Sequence, residues 1–390
     1  MNVYLFHQHF HTPERGGALR SYYLATSLAT NGLQVTVISS HNEPEIKRET
    51  INGFEVIYLP IFYQNQLSFY KRIKAYLHFA ISAVQYARKL PKANLHYVMS
   101  TPLTSGLIGI YFKWFNRTPY VFETGDLWPD APIQLGFIKN SVLKYLLYAL
   151  EKTIYKQAKA LVALSPSMKE ILEKKISDKE IFLLPNMTDI SAFEKGVADV
   201  PKEFSSTLPF TLAYLGSVGF ANGLTYLIDV ARLCEKEKLP IRFFIVGDGA
   251  AKPALEETCK KLNVSNIQFF PATNRDGVIE ILKHVQAVYI SYRQEKILET
   301  GSPNKYPDGL AAGKLIVTNF SGWIAKEIHN MSCGFSYLPD EPQMFIDKVK
   351  PYVNHPFILQ ETQTKAIRTA HQYDYTKIGE RFVNWIKNLS

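Results

Sequence analysis

Lys305 and Asp308 stand three residues apart, directly behind the run Thr300-Gly301-Ser302-Pro303-Asn304. A loop of Gly, Ser and Pro presents backbone amides and a hydroxyl, and a lysine at its end presents a cation. Together these can hold a diphosphate. Asp308 falls about one helical turn beyond the lysine, where a carboxylate can accept hydrogen bonds from two ribose hydroxyls. The short helix expected over Asp308–Ala312 is rich in small residues and can pack close beneath a bound nucleotide. A surface turn with a capping aspartate accounts for fewer of these features, because an apolar strand, Leu315–Thr318, comes next.

Three glycine loops, Gly16-Gly17, Gly216-Ser217-Val218-Gly219 and Gly247-Asp248-Gly249, each end a strand-like run. In open parallel sheets, ligands sit beyond the carboxyl ends of the strands. Glycine there lets backbone amides approach a phosphate ahead of a helix N-terminus. One such loop also arises for steric reasons alone, but three of them in two halves of the chain point to an anionic ligand in a cleft between domains. Gly17, Gly216, Ser217 and Gly247 are the expected contacts. None of the loops has the dinucleotide spacing, which disfavours a nicotinamide enzyme.

Phe122-Glu123-Thr124-Gly125-Asp126-Leu127-Trp128-Pro129 follows an apolar strand, so Glu123 and Asp126 are expected to face that cleft. Asp126 can orient an acceptor hydroxyl or support positive charge developing on a sugar; capping the turn before Pro129 is its structural alternative. Trp128 suits stacking on a sugar and suits filling the core equally. His7, His9 and His11 alternate beyond the first strand without a Cys or carboxylate pattern that would make a metal site, so no metal is expected. His9 is the histidine expected at an acceptor. Arg15 and Arg20 are cations that suit an acceptor phosphate, with plain surface charge as the competing account.

Strand-then-helix alternation must position these residues, and it runs through both halves of the chain. Strands are expected at Val3–Phe6, Leu33–Ser39, Phe54–Leu59, Leu95–Met99, Tyr120–Glu123, Leu161–Leu164 and Ile181–Leu184. A second set follows at Leu212–Leu215, Ile241–Val246, Ile267–Phe270, Ala287–Ile290 and Leu315–Thr318. Helix Ala18–Thr30 is closed by Asn31-Gly32, a left-handed cap. The polar, aperiodic stretch Asp189–Pro209 reads as a linker. Two α/β domains are therefore expected, 1–188 and 208–371, with a last helix over 375–389 whose apolar face suits either one.

The 390 residues suit two cores. The net charge of +9 favours an anionic partner or, spread over the chain, serves solubility. Cys234, Cys259 and Cys333 lie far apart, which disfavours a disulfide scaffold and suits a cytoplasmic home. Neither a signal peptide nor an apolar run of about 20 residues is visible. Helices over Phe69–Leu90 and Val142–Ala160 combine an apolar stripe with lysines, arginines and tyrosines. They suit either an anionic leaflet or a buried stripe with a solvated basic face. In the first helix the stripe runs through Phe69, Ile73, Tyr76, Leu77, Ala80, Ile81, Val84 and Ala87.

The Ser302-Pro303-Asn304-Lys305 segment, with Asp308 and Ala311-Ala312-Gly313-Lys314 after it, resembles family-4 retaining glycosyltransferases of the GT-B fold. The similar branch contains L-fucosamine transferases of O-antigen and capsule assembly. Gly16-Gly17 with Arg20, Asp126-Leu127-Trp128-Pro129, Leu164-Ser165-Pro166, Pro185-Asn186 and Val246-Gly247-Asp248-Gly249 extend the likeness over nearly the whole chain. It implies two Rossmann-like domains facing a central cleft, the second binding the donor. It also implies a metal-independent transfer without a cofactor from a UDP-sugar, an N-acetylated hexosamine or deoxyhexosamine, to a polyprenyl-diphosphate-linked saccharide at the inner membrane surface. The family's paired glutamates fall here on Thr300 and Asp308, with Glu299 one residue out of register. The cations common after the first strand of the second domain are missing, so the diphosphate is left to Lys305 together with Arg293. A nucleotide-sugar epimerase of the same two-domain form, revealed by product from donor alone, is the enzymatic rival. A non-catalytic membrane-surface or nucleic-acid-binding module is the other, although no nucleic-acid motif is present.

Overall fold

The computed structural model describes residues 1–64, 67–194 and 210–389. The chain divides into two compact units: Met1–Thr12 with Ala18–Pro185 and Thr376–Ser390, and Pro13–Gly17 with Asn186–Tyr375. Most of the stretch expected as a linker, 195–209, lies outside the described residues, while Ile190–Glu194 forms a short helix.

The first unit is built on eight strands: β1 (Asn2–Phe6), β2 (Gln34–His41), β3 (Lys47–Ile51), β4 (Phe54–Pro60), β5 (Leu95–Met99), β6 (Tyr120–Thr124), β7 (Ala160–Ala163) and β8 (Ile181–Leu183). Their spatial order is β3-β4-β2-β1-β5-β6-β7-β8, parallel except for the β3–β4 pair. Strands β5, β6 and β7 are buried at every position, as befits a parallel sheet covered on both faces. Strand β3 is not among those expected from sequence, because its polar run, Lys47-Arg48-Glu49, lacks an apolar face. Its signal is Asn52-Gly53, whose φ values of +46° and +84° make the tight turn that pairs Ile51 with Phe54. The cap at Gly32 forms as expected: Leu33 N–H donates to Leu28 O and Gly32 N–H to Ala29 O.

The last helix, Tyr375–Asn388, packs in this first unit. It buries Ile378, Phe382, Val383 and Ile386. Phe382 sets its edge on Tyr97 and Trp385 stacks on Phe182. Helix Phe69–Ala87 buries Tyr76, Phe79, Ala80 and Ala83, whereas Leu77 and Ile81 of the expected stripe are exposed.

The second unit holds β9 (Phe210–Leu215), β10 (Ile241–Val246), β11 (Ile267–Phe270), β12 (Ala287–Ile290), β13 (Leu315–Thr318) and β14 (Gly334–Ser336). All are parallel, in the order β11-β10-β9-β12-β13-β14. This is the doubly wound order, and it reverses between β9 and β12. Leu212 and Tyr214 enter the core on one face while Ala213 and Leu215 enter the core on the other. Each fully buried Leu or Ile contributes roughly 1.5–3 kcal/mol, so the alternation commits both faces to coverage by helices. The structure adds β14, too short to announce itself in sequence.

Candidate functional site

The point where strand order reverses in the second unit puts the ends of β9 and β12 side by side. Gly216 leaves β9 at φ +132° and is exposed, as is Ser217. Tyr214 fixes this turn by donating its hydroxyl to the Ser217 carbonyl at 2.6 Å. Lys305 reaches the same place from the start of the helix Lys305–Ala311: its Nζ lies 4.5 Å from the Tyr214 ring centroid. A Cβ on Gly216 would stand 3.6 Å from that nitrogen, so glycine keeps the approach to the ammonium open. Among the described residues Lys305 has no carboxylate partner, and burial pulls it down to about 8. An ammonium held against an aromatic face without a counter-charge attracts an anion. The helix begins at Lys305, three residues earlier than expected.

Several neighbours are committed elsewhere. Thr300 is buried and donates to Ile297 O at 2.7 Å. Gly301 gives its N–H to Leu298 O and accepts Trp323 Nε1 at 2.8 Å. Ser302 accepts from Asn186, through its carbonyl from the side-chain amide and through its hydroxyl from the backbone N–H. Pro303 and Asn304 form the entry to the helix, with carbonyls accepting from Tyr306 and Asp308. These contacts hold the loop in shape. Gly247 has φ +146°, and a Cβ there would fall 1.9 Å from Gly216 O. It is a packing glycine between the ends of β9 and β10. Arg293 lies 4.0 Å over the Phe220 ring and 2.7 Å from Glu295, so its charge is already shared.

Asp308 is firmly held within its own unit. It is buried, its Oδ1 accepts from Thr188 at 2.6 Å and its Oδ2 pairs with Arg275 at 2.6 Å. Each carboxylate oxygen thus already accepts one bond and keeps a further lone pair. Sequence reasoning missed Arg275; its only local signal is Asn274, which caps the helix Arg275–His284. Glu299, by contrast, is half-buried with no hydrogen-bond or ion-pair partner among the described residues, and burial raises its pKa.

In the first unit the order reverses between β1 and β5. His7, Gln8 and His9 follow β1, Ser100 and Thr101 follow β5, and Gly125 and Asp126 follow β6. Gly125 N–H donates to Ser100 Oγ at 2.9 Å, and Thr101 donates to Asp126 Oδ2 at 3.1 Å. Surrounding protein raises the Asp126 pKa and the Thr101 bond lowers it. The side chain is exposed. His7 bonds Ser21 Oγ at 2.8 Å, and burial with His9, His11 and Arg20 nearby brings it to about 3. His9, whose ring lies 4.6 Å from that of Tyr63, is brought to about 4 by burial, then by His11 and Arg72. Both imidazoles are neutral at physiological pH. Trp128 is half-buried just beyond Asp126. Among the described residues no three His, Cys, Asp or Glu converge as metal ligands.

Arg20 and Glu123 meet each other. They form a buried pair, Nε to Oε1 at 2.7 Å and Nη2 to Oε2 at 2.9 Å, and Arg20 also donates to Leu184 O and Pro185 O. Gly16 and Gly17 follow a 3-10 turn, Pro13–Arg15, and precede the helix Arg20–Thr30. Gly16 has φ +70°, and a Cβ there would stand only 3.0 Å from Asn274 Cα, whereas Gly17 is exposed.

The family model described as Glycosyltransferase Family 4 matches residues 15–192, and that described as Glycosyl transferases group 1 matches 209–355. WcaI of Escherichia coli (strain K12), a putative colanic acid biosynthesis glycosyl transferase by its description, is 27% identical over 203 residues. That match covers 50% of this chain and 49% of WcaI, about half the length of each. Among solved structures, sucrose-phosphate synthase from Thermosynechococcus elongatus is similar at a TM-score of 0.80 and 14% identity, covering 100% of this chain and 98% of that one. WaaG, a glycosyltransferase involved in lipopolysaccharide biosynthesis, is similar at 0.70 and 16%, covering 99% of each. Anabaena Alr3699/HepE in complex with UDP and glucose is similar at 0.70 and 14%, covering 100% of each.

Proposed function

This chain belongs to glycosyltransferase family 4 and has the GT-B fold, and from that premise we propose that it moves a sugar from a UDP-sugar to a lipid-linked saccharide in bacterial surface polysaccharide synthesis. The observation that carries the donor half is the Lys305 ammonium, unmatched by any described carboxylate, at the glycine-ended tip of β9. Such a cation complements a diphosphate leaving group. UDP is favoured as the carrier because a protein of similar fold was solved with UDP-glucose. The sugar proposed is an N-acetylated hexosamine or deoxyhexosamine, and the acceptor a polyprenyl-diphosphate-linked saccharide at the inner face of the cytoplasmic membrane. No helix among the described residues is long and apolar enough to cross a membrane, so the proposed attachment is peripheral.

In the proposed reaction the bond from the anomeric carbon to the diphosphate oxygen breaks. A bond from that carbon to the acceptor oxygen forms on the same face, and the acceptor proton passes to the departing diphosphate. Lys305 would stabilise the charge left on the diphosphate. Asp126, exposed and oriented by Thr101, would align the acceptor hydroxyl and favour positive charge at the anomeric carbon.

A titration of the protein with UDP, GDP, CDP and their sugars tests the donor assignment, and the absence of nucleotide binding would sink it. Asp126→Asn is expected to lower kcat about 100-fold with the melting temperature and UDP affinity unchanged, because its side chain is exposed and Thr101 is its one side-chain partner among the described residues. Unchanged turnover on a lipid-linked acceptor would dismiss the role.

A further inference from the structure

Tyr214 is the penultimate residue of β9 and is fully buried, in the core that holds Val218, Leu227 and Ile245 on one face of the sheet. An aliphatic side chain also suits that face, and Leu212, two residues earlier, occupies it. The tyrosine adds two contacts that a leucine could not make. Its hydroxyl passes the end of the strand and donates to Ser217 O at 2.6 Å. The same peptide unit is held from its other side, where Val218 N–H donates to Asp248 O at 2.9 Å. Fixed at both ends, it leaves the preceding amide, Ser217 N–H, without an acceptor among the described residues, in a turn that is exposed.

The second contact is with Lys305, whose Nζ stands 4.5 Å from the centre of the ring. Its surroundings otherwise work against a bound proton. Burial favours the neutral amine. The residue opens a helix, where the peptide dipoles disfavour a cation. The charged and titratable groups nearby are engaged elsewhere: Asp308 with Arg275 and Thr188, Tyr306 with Glu327, and Arg293 with Glu295. Glu299 is shifted by burial first and by Lys296 next. The electron-rich face of Tyr214 is therefore what favours the ammonium, and it fixes where the charge stands. Burial, followed by Tyr292, raises the phenol itself, so the ring stays neutral while the lysine titrates. One side chain thus holds a cation over the tip of β9 and an amide within it.

We propose that Tyr214 is the positioning residue of the donor site, its ring holding the Lys305 ammonium and its hydroxyl fixing the Gly216-Ser217 turn so that both meet one diphosphate, a reading that rests on Lys305 as the donor's cation. Calorimetric titration with UDP and uridine across the alkaline range tests it, because the two contacts can be removed separately. Tyr214→Phe keeps the ring and frees the turn; it should weaken UDP binding about threefold and leave the alkaline midpoint where it is. Pentafluorophenylalanine at position 214 keeps the shape of phenylalanine but takes away the negative face. Relative to Tyr214→Phe it should weaken UDP about tenfold further, leave uridine unchanged, and move the midpoint down by about one pH unit, since the ammonium then loses its proton more readily. In a Lys305→Ala background the fluorinated ring should cost nothing more. The proposal is overturned if the fluorinated protein matches Tyr214→Phe in affinity and midpoint, if UDP and uridine weaken equally, or if the loss persists without Lys305. Where any of these occurs while the wild type binds UDP with an alkaline fall that Lys305→Ala abolishes, the role of Tyr214 falls alone and the donor reading stands. Absence of UDP binding by the wild type removes both.

Discussion

Lys305→Ala is expected to weaken the affinity for UDP about 10- to 100-fold and to leave the affinity for uridine nearly unchanged. The ammonium faces the Tyr214 ring and the open side of Gly216, with no carboxylate among the described residues to neutralise it. Arg293, the other cation expected to help, already shares its charge with Glu295 and the Phe220 face, so it is a poor substitute. The same geometry sets a pH dependence. Burial brings the free ammonium to about 8, and a diphosphate binds the protonated form. UDP affinity is therefore full below that value and falls as the pH climbs through it, with proton uptake on binding near the midpoint. Titration calorimetry with UDP and uridine across that range checks both statements. In Lys305→Ala the alkaline fall should vanish. Equal loss of UDP and uridine affinity would place the nucleotide elsewhere.

Most of the fold was legible in the sequence, because strands buried on both faces read as short apolar runs and their ends are marked by glycine. The exceptions have physical reasons. The edge strand β3 is polar, and only its Asn52-Gly53 turn signals it. The site was less legible. Lys305 is announced by its loop, but nothing local separates a carboxylate that meets a ligand from one that meets an arginine far away in the chain. Asp308 is paired with Arg275 and Thr188, while Glu123 is paired with Arg20 and Tyr97. Neither the helix that carries Asp308 nor the strand that carries Glu123 announces its partner locally, and only the fold brings the partners together. Asp126, three residues past Glu123, stays exposed because β6 has ended and the chain has left the sheet.

Removing either partner of the Arg20–Glu123 pair is expected to be the most destabilising single change, about 3–5 kcal/mol, lowering the melting temperature by about 10 °C. Both side chains are buried, at 6% and 1% exposure. Burial alone would strip the guanidinium of its proton more readily, but Glu123 and Tyr97 reverse this and hold it raised. Arg20→Ala would strand the Glu123 carboxylate without its cation and leave the carbonyls of Leu184 and Pro185 without a donor. Those carbonyls lie just before the chain leaves the first unit, and Tyr97, which donates to Glu123, packs against Phe382 of the last helix. The pair therefore joins the first helix, two central strands and the closing helix of one domain. Arg20→Met combined with Glu123→Leu should be less destabilised than either single alanine variant, since no buried charge is then left unpaired. Thermal unfolding followed by circular dichroism measures all three. If Arg20→Ala instead kept its melting temperature and raised only the KM for acceptor, the pair would be serving a ligand and not the fold.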